Sequence, residues 1–143
     1  MPHQKYNNIS SMLNMRFHHI GLLVDDINHS IINYSSLFGV QNISEIFTIN
    51  SQKVRICFVK IGTNEFIELV EPIGDDSVVS KLLKKRISYY HLAYKVTNIK
   101  ESINILEEKN YKALEVFKSE AFDNKYCVFL YTPDGHLIEL IEE

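Results

Sequence analysis

The amino-acid sequence predicts an α+β fold built from two tandem βαβββ modules. The first observation is an internal repeat. Residues 17–20 match residues 89–92 at an offset of 72 (91 − 19), and residues 66–71 match residues 137–142 at an offset of 71 (139 − 68). The second is alternation of apolar residues with a period of two in several short segments, which is typical of strands. The third is helical spacing of apolar residues once in each half.

In the first module the predicted elements follow the order β-α-β-β-β. The helix is expected to begin at Ile27 behind a capping Asp25 or Asp26, and Gly39 is its predicted stop. Strands are expected at residues 16–24, 41–48 (an edge strand or a loop), 53–61 and 65–70, with a turn at 62–64.

The second module repeats this order after a linker at 72–76 and a short basic helix at 77–86. A helix is expected around Ile99, Ile103 and Leu106. The predicted strands are Tyr89–Val96, 111–117, 126–131 and 136–141.

The two modules are predicted to form one domain over residues 16–143, because neither half could bury both faces of its sheet alone. Module one covers about 16–72 and module two about 88–143. Residues 1–15 are polar and aperiodic, so a loose N-terminal tail is expected there.

Composition excludes several classes of protein. A net charge of −3 gives no general attraction to nucleic acid, and no segment approaches the roughly 20 apolar residues of a membrane span. The first residues lack the apolar core of a signal peptide, so a cytoplasmic location is expected. The two cysteines, Cys57 and Cys127, fit no disulfide framework and are expected to be buried, reduced thiols.

The repeat carries one histidine and one glutamate at equivalent positions of each module. His19 aligns with His91 and Glu68 with Glu139, which predicts a pseudo-twofold site with two ligands from each half. Two imidazoles and two carboxylates suit a borderline divalent ion, and cobalt, manganese, nickel, zinc and iron are not distinguished. The alternative is that the histidines lie at the edge of the core and the glutamates at exposed strand ends.

The period of a strand separates the candidate histidine from its neighbour. Adjacent strand residues point to opposite faces, so His18 and His19 are not expected to reach the same site. His18 aligns with Tyr90 and is therefore expected on the opposite face. The other histidines are also left out of the site; they are His3 in the tail, His29 on the helix surface and His136 after a turn.

These residues resemble the vicinal oxygen chelate superfamily, which includes glyoxalase I, methylmalonyl-CoA epimerase, fosfomycin resistance enzymes and extradiol dioxygenases. The motifs are residues 17–21 before a helix, Glu68 within 66–72, His91 in its strand, and the segment 132–140. The segments 52–55, 68–72 and 76–86 are similar to the epimerase branch in particular. The resemblance covers residues 16–142 and implies an open cup of sheet around one divalent ion held by His19, Glu68, His91 and Glu139.

The resemblance further implies a metal-dependent isomerase or epimerase that stabilises an enolate next to a carbonyl or thioester. A small molecule such as an acyl thioester is the expected substrate, and a homodimer is expected by analogy. Glu68 and Glu139, from equivalent places in the two halves, are the expected acid and base. The alternatives are a glyoxalase I-type lyase acting on a thiol adduct and a non-catalytic small-molecule binding or resistance protein.

The sequence departs from the epimerase pattern at three places. Arg55 lies near the position where some epimerases carry an additional carboxylate, so that base is not transferred to this chain. Residues 87–90 and 119–124 are bulky where epimerases tend to carry glycine. A reshaped pocket is therefore expected, and the sequence leaves open whether a CoA thioester fits it.

Overall fold

The computed structural model describes residues 13–143. Its strands are β1 (Arg16–Leu23), β2 (Phe47–Ile49), β3 (Val54–Lys60), β4 (Phe66–Pro72), β5 (Tyr89–Val96), β6 (Lys112–Ala113), β7 (Phe117–Ser119), β8 (Lys125–Tyr131) and β9 (Leu137–Glu142). Its α-helices are α1 (Ile27–Phe38), α2 (Val78–Lys84) and α3 (Ile99–Glu108). Most of the predicted tail lies outside the described residues, and residues 13–15 form no helix or strand.

All nine strands belong to one sheet with the order β2-β3-β4-β1-β5-β9-β8-β6, and β7 also pairs with β8. The modules meet at the antiparallel pair β1–β5. Outside this pair, β4 runs parallel to β1, and β9 runs parallel to β5. The sheet curls until β2, at one edge, contacts the 3₁₀ turn Glu120–Phe122 near the other. The α+β fold with two related modules is thus confirmed.

The helix boundaries of the first module follow the predicted signals. The Asp26 side chain accepts a hydrogen bond from the backbone N–H of His29 at 3.1 Å, which caps the first turn of α1. The helix ends before Gly39, whose φ of 91° lies in the region that favours glycine.

One predicted strand is wrong in its extent. Residues 111–117 contain the whole of the two-residue strand β6 and the first residue of β7, and residues 114–116 between them belong to neither strand. The backbone N–H of Leu114 still donates to the carbonyl of Phe129 on β8 at 2.8 Å. The side chains of residues 114–116 are exposed, so burial does not extend either strand through them. The first module has a related break, since Ile43 makes an isolated bridge to Val59 before β2 begins.

The second glutamate of each repeated segment lies on a strand and caps the N-terminus of a helix. Glu71 Oε2 accepts a hydrogen bond from the backbone N–H of Ile27 at 2.7 Å, and Glu142 Oε2 accepts one from Ile99 at 2.8 Å. A carboxylate at the first turn satisfies a free N–H and suits the positive end of the helix. This capping explains why the repeat retains a glutamate that is not a candidate ligand.

Two further predictions concern the core and the surface. Cys57 and Cys127 are buried free thiols, as expected, and burial raises the pKa of both. Within residues 13–143, every helix is too short or too polar to cross a lipid bilayer.

Candidate metal centre

The four predicted ligands come together on the concave side of the sheet. His19 lies on β1, Glu68 on β4, His91 on β5 and Glu139 on β9, the four adjacent strands at the centre of the sheet. One ligand atom of each lies within 4.8 Å of the others. All four residues are buried, with exposed fractions of 5% or less. The alternative, in which the glutamates lie at exposed strand ends, is therefore wrong.

The distances between ligand atoms are short and similar. The Nε2 atoms of the two histidines are 3.0 Å apart. Glu68 Oε1 lies 3.5 Å from His19 Nε2 and 3.3 Å from His91 Nε2. Glu139 Oε1 lies 3.3 Å from both. The two carboxylates thus contact the same pair of imidazoles, one from each module.

Small residues on the central strands make room for the histidine rings. In the β1–β5 register, His19 pairs with Ala93 and His91 pairs with Gly21. A Cβ atom added at Gly21 would lie 2.7 Å from Cε1 of His91, so a side chain there would force the ring out of place. Since Gly21 aligns with Ala93 in the repeat, each module provides a small residue opposite the histidine of the other.

The prediction that His18 lies on the opposite face is wrong, because β1 contains a bulge. Phe17 pairs with Tyr94 and His19 with Ala93, so His18 is an extra residue that breaks the alternation. Its ring lies beside that of His19, with a distance of 2.8 Å between their Nδ1 atoms. Burial and the charge of His19 lower the pKa of His18 to about 4, so it is neutral at pH 7.

The second module has its own bulge at the equivalent position. Gly21 pairs with His91 and Leu22 with Tyr89, which leaves Tyr90 as the extra residue on β5. The rings of Tyr90 and His91 lie 4.7 Å apart. Burial, with the charges of Glu139 and Glu68, raises the pKa of the Tyr90 hydroxyl. His18 and Tyr90 were not predicted as site residues. The signal that could have identified them is that they align with each other in the repeat.

The four buried groups shift one another's protonation. Burial by itself lowers the pKa of His19, but the neighbouring negative charges of Glu68 and Glu139 outweigh it and raise this pKa to about 9. The same balance raises the pKa of His91. Burial opposes ionisation of the two carboxyls, yet the histidines hold the pKa of both below the usual range. Without a metal, two buried anions face a protonated His19, and the same anions shift His91 towards its protonated form.

The geometry fits a divalent ion. Ligand atoms about 2.0–2.2 Å from one such ion lie about 2.9–3.6 Å from their neighbours in tetrahedral or octahedral arrangements. The five distances given above lie between 3.0 and 3.5 Å. In addition, Glu139 Oε1 is buried without a hydrogen-bond partner among the described residues. A bound cation would satisfy this oxygen and neutralise both carboxylates.

Metal binding is expected to release protons near neutral pH. A metal needs neutral imidazoles, whereas His19, with a pKa of about 9, is protonated in the metal-free protein at pH 7, and the pKa of His91 is also raised. The affinity should therefore rise as the pH increases towards the pKa of His19 and fall in acid.

Calorimetry with Co²⁺ at pH 7, in buffers of different ionisation enthalpy, measures this release, and about one to two protons per ion are expected. A binding enthalpy that is independent of the buffer would contradict this electrostatic description.

Two cavities flank the four ligands. The smaller, about 30 Å³, is lined by Glu68, Glu139, His91 and Tyr90 and otherwise mainly by apolar side chains. The larger, about 380 Å³, opens beside His18 and includes none of the four ligands. Phe122 lines both.

Phe122 was not predicted as a site residue. It lies in the 3₁₀ turn Glu120–Phe122, and its ring is nearly parallel to that of His19 with 6.1 Å between centroids. The structure also explains Arg55, which donates to Glu71 Oε1 at 2.8 Å, so its charge is paired with the carboxylate that caps α1.

The family model described as "Glyoxalase/Bleomycin resistance protein/Dioxygenase superfamily" matches residues 18–141. Human mitochondrial methylmalonyl-CoA epimerase is 29% identical over 129 residues, which cover 87% of this chain and 72% of the human protein.

Solved structures show the same fold. Methylmalonyl-CoA epimerase from Mycobacterium tuberculosis has a TM-score of 0.81 and 23% identity, covering 96% of this chain and 94% of that chain. A variant of the Streptomyces coelicolor enzyme, in complex with 2-nitronate-propionyl-CoA, has a TM-score of 0.73 and 25% identity, covering 90% and 94% of the two chains.

Proposed function

The chain belongs to the glyoxalase/bleomycin resistance protein/dioxygenase superfamily, and from this we propose that it is a divalent-metal-dependent epimerase. Its proposed reaction inverts the configuration of a carbon next to the carbonyl of an acyl thioester. The observation that carries the proposal is the buried set of two histidines and two glutamates, one pair from each module. The epimerases among its relatives support the choice of reaction.

His19, Glu68, His91 and Glu139 would hold the ion. When bound, a divalent ion supplies positive charge that stabilises the enolate formed as the substrate carbon loses its proton. The protein contributes a rigid support, because all four ligands come from adjacent central strands rather than from loops.

Glu68 and Glu139 are the proposed acid and base. Inversion requires one group to remove a proton from one face of the enolate and another to return it to the opposite face. The two carboxylates come from β4 and β9, which lie on opposite sides of the central β1–β5 pair. Both carboxyls have a pKa below the usual range in the metal-free protein, so each is ionised at neutral pH. The base accepts the substrate proton in this form, and the acid would first take up a proton from solvent, which it then delivers to the opposite face.

The environment of the carboxylates favours this chemistry because it contains little water. The small cavity is lined on several sides by apolar residues, namely Ile49, Val54, Ile56, Val70, Phe117 and Phe129. Such a low-dielectric wall strengthens the interaction between fixed charges and the charge that develops in the transition state.

Substrate access is proposed to run through the larger cavity. The volume of about 30 Å³ beside the carboxylates holds only about one water molecule, so an acyl group needs more space than this structure provides there. Displacement of Phe122, which lines both cavities, would join the two. The larger cavity is lined by Lys95 and Lys125 and also by Asp123, Glu142 and Glu143, so its walls carry charges of both signs.

A related epimerase was solved with 2-nitronate-propionyl-CoA, which supports an acyl thioester as the substrate class. The relatives give no corresponding support to the lyase alternative. We also propose, as predictions from the sequence, a cytoplasmic homodimer whose modules form a single domain over residues 16–143, without a nucleic-acid partner.

Exchange of the substrate α-proton tests the proposed function. Metal-loaded protein is incubated in D₂O with a single stereoisomer of methylmalonyl-CoA, and deuterium uptake and configuration are followed together. Uptake with loss of stereochemical purity is expected. A panel of other acyl-CoA thioesters tests the substrate class. If protein with a full equivalent of bound metal exchanges no proton on any thioester, the proposal fails.

A further inference from the structure

We propose that His18 is a positioning residue of the metal centre, which accepts a hydrogen bond from His19 Nδ1–H and so keeps Nε2 of His19 available for the ion. This inference rests on the metal site of the proposed function and adds a residue outside the four ligands. It makes the two modules unequal, because only one of the two ligand histidines is held in this way.

The first support is the geometry of the His18–His19 pair. The two Nδ1 atoms are 2.8 Å apart, so one ring donates and the other accepts. Nε2 of His19 faces His91, Glu68 and Glu139, where a metal would require its lone pair. A neutral His19 then carries its proton on Nδ1. That proton lies between the two rings, and His18 Nδ1 is the acceptor.

The second support is the packing that holds the His18 ring. The bulge of β1 turns His18 towards the concave side. Its ring stacks on Phe66 with 4.8 Å between centroids and contacts Phe58 and Phe122 edge to face at 5.9 and 5.4 Å. An acceptor held by aromatic rings on several sides keeps its position when the metal binds. Such partners orient ligand histidines and increase their affinity for the ion.

The third support is the contrast with the other module. Tyr90 occupies the place of His18 in the repeat, at the same kind of bulge. His91 Nδ1 is buried and has no hydrogen-bond partner among the described residues. The orientation of the His91 ring is limited by its close approach to Gly21 rather than by a hydrogen bond at Nδ1. Position 18 therefore has a role that position 90 lacks.

Three substitutions at residue 18 separate the hydrogen bond from the packing. His18→Asn keeps a hydrogen-bond acceptor at the δ position. His18→Leu introduces a side chain of nearly the same shape as asparagine but without an acceptor. His18→Phe keeps the aromatic packing without the acceptor. His29→Leu, at an exposed histidine on α1, is the control outside the site. For each, the Kd for Co²⁺ is measured by competition with a chelator, and the visible spectrum of bound Co²⁺ reports the ligand geometry.

His18→Leu and His18→Phe are expected to weaken Co²⁺ binding about 10- to 100-fold and to alter the spectrum. His18→Asn is expected to stay within about threefold of wild type, and His29→Leu is expected to leave both the affinity and the spectrum unchanged. Equal affinities for all variants would overturn the inference, and so would an equal loss in Leu, Phe and Asn. If Phe does not fold, the Leu–Asn pair decides. Failure of the proposed function is distinct, because it is seen in the wild type, as metal-loaded protein that exchanges no α-proton, and does not depend on the variants at residue 18.

Discussion

Replacement of Glu139 by glutamine is expected to reduce α-proton exchange by about 10²–10⁴-fold. Glutamine keeps the shape of the side chain and an oxygen that can ligate, but its amide cannot accept a proton at neutral pH. Glu139 Oε1 lies 3.3 Å from both histidine Nε2 atoms, so its carboxylate is at the centre of the site. The measurement is deuterium incorporation into each stereoisomer of methylmalonyl-CoA, with metal content determined on the same samples.

Two comparisons make this result interpretable. Glu115→Gln, at an exposed position between β6 and β7, should exchange at the wild-type rate. Glu68→Gln should also lose epimerisation, because inversion needs both carboxylates. If Glu139→Gln retains its metal and exchanges as fast as wild type, Glu139 is not an acid or base of the reaction.

His91→Ala is expected to weaken divalent-metal binding by a factor on the order of 100 or more, since removal of a ligand costs more than removal of a residue that orients one. His91 is 1% exposed, and its Nε2 lies within 3.3 Å of both carboxylates. Its loss leaves Glu68 and Glu139 with one imidazole to share, a large cost for two buried charges. Chelator competition gives the affinity, and thermal unfolding with and without Co²⁺ gives the stabilisation by metal.

A histidine outside the site provides the control for this variant. His136→Ala removes an exposed imidazole after a turn and should leave both the affinity and the thermal shift unchanged. Wild-type affinity in a folded His91→Ala protein would show that the ion, if any, is held elsewhere.

The repeat made the cluster of two histidines and two glutamates predictable from the sequence. A histidine and a glutamate that recur at the same place in two modules fall on equivalent strands, so their convergence follows from the pairing of β1 with β5. The parallel neighbours β4 and β9 then bring Glu68 and Glu139 to the same centre. This inference needed only strand order and symmetry.

His18 could not be placed in this way, because a bulge breaks the period of two on which the argument depended. Nothing in the local composition marks the bulge. It depends on how β1 and β5 register after folding, and on the aromatic side chains of Phe58, Phe66 and Phe122 that receive the ring.

Phe122 escaped prediction for a related reason. It belongs to a short 3₁₀ turn followed by Asp123 and Asn124, whose φ values of 52° and 60° are positive. The path of such a turn is fixed by the curl of the whole sheet and by β2 on its far side. Residues that line the site from the rim of the cup therefore depend on long-range packing, which the sequence pattern does not show.

The most direct test of the metal centre is an anomalous-scattering crystal structure of protein prepared with Co²⁺ or Mn²⁺. We expect one strong anomalous peak on the concave face, within bonding distance of His19 Nε2, His91 Nε2 and one oxygen each of Glu68 and Glu139. A fully soaked crystal with no peak among these four side chains, or with a peak held by other residues, would contradict the account.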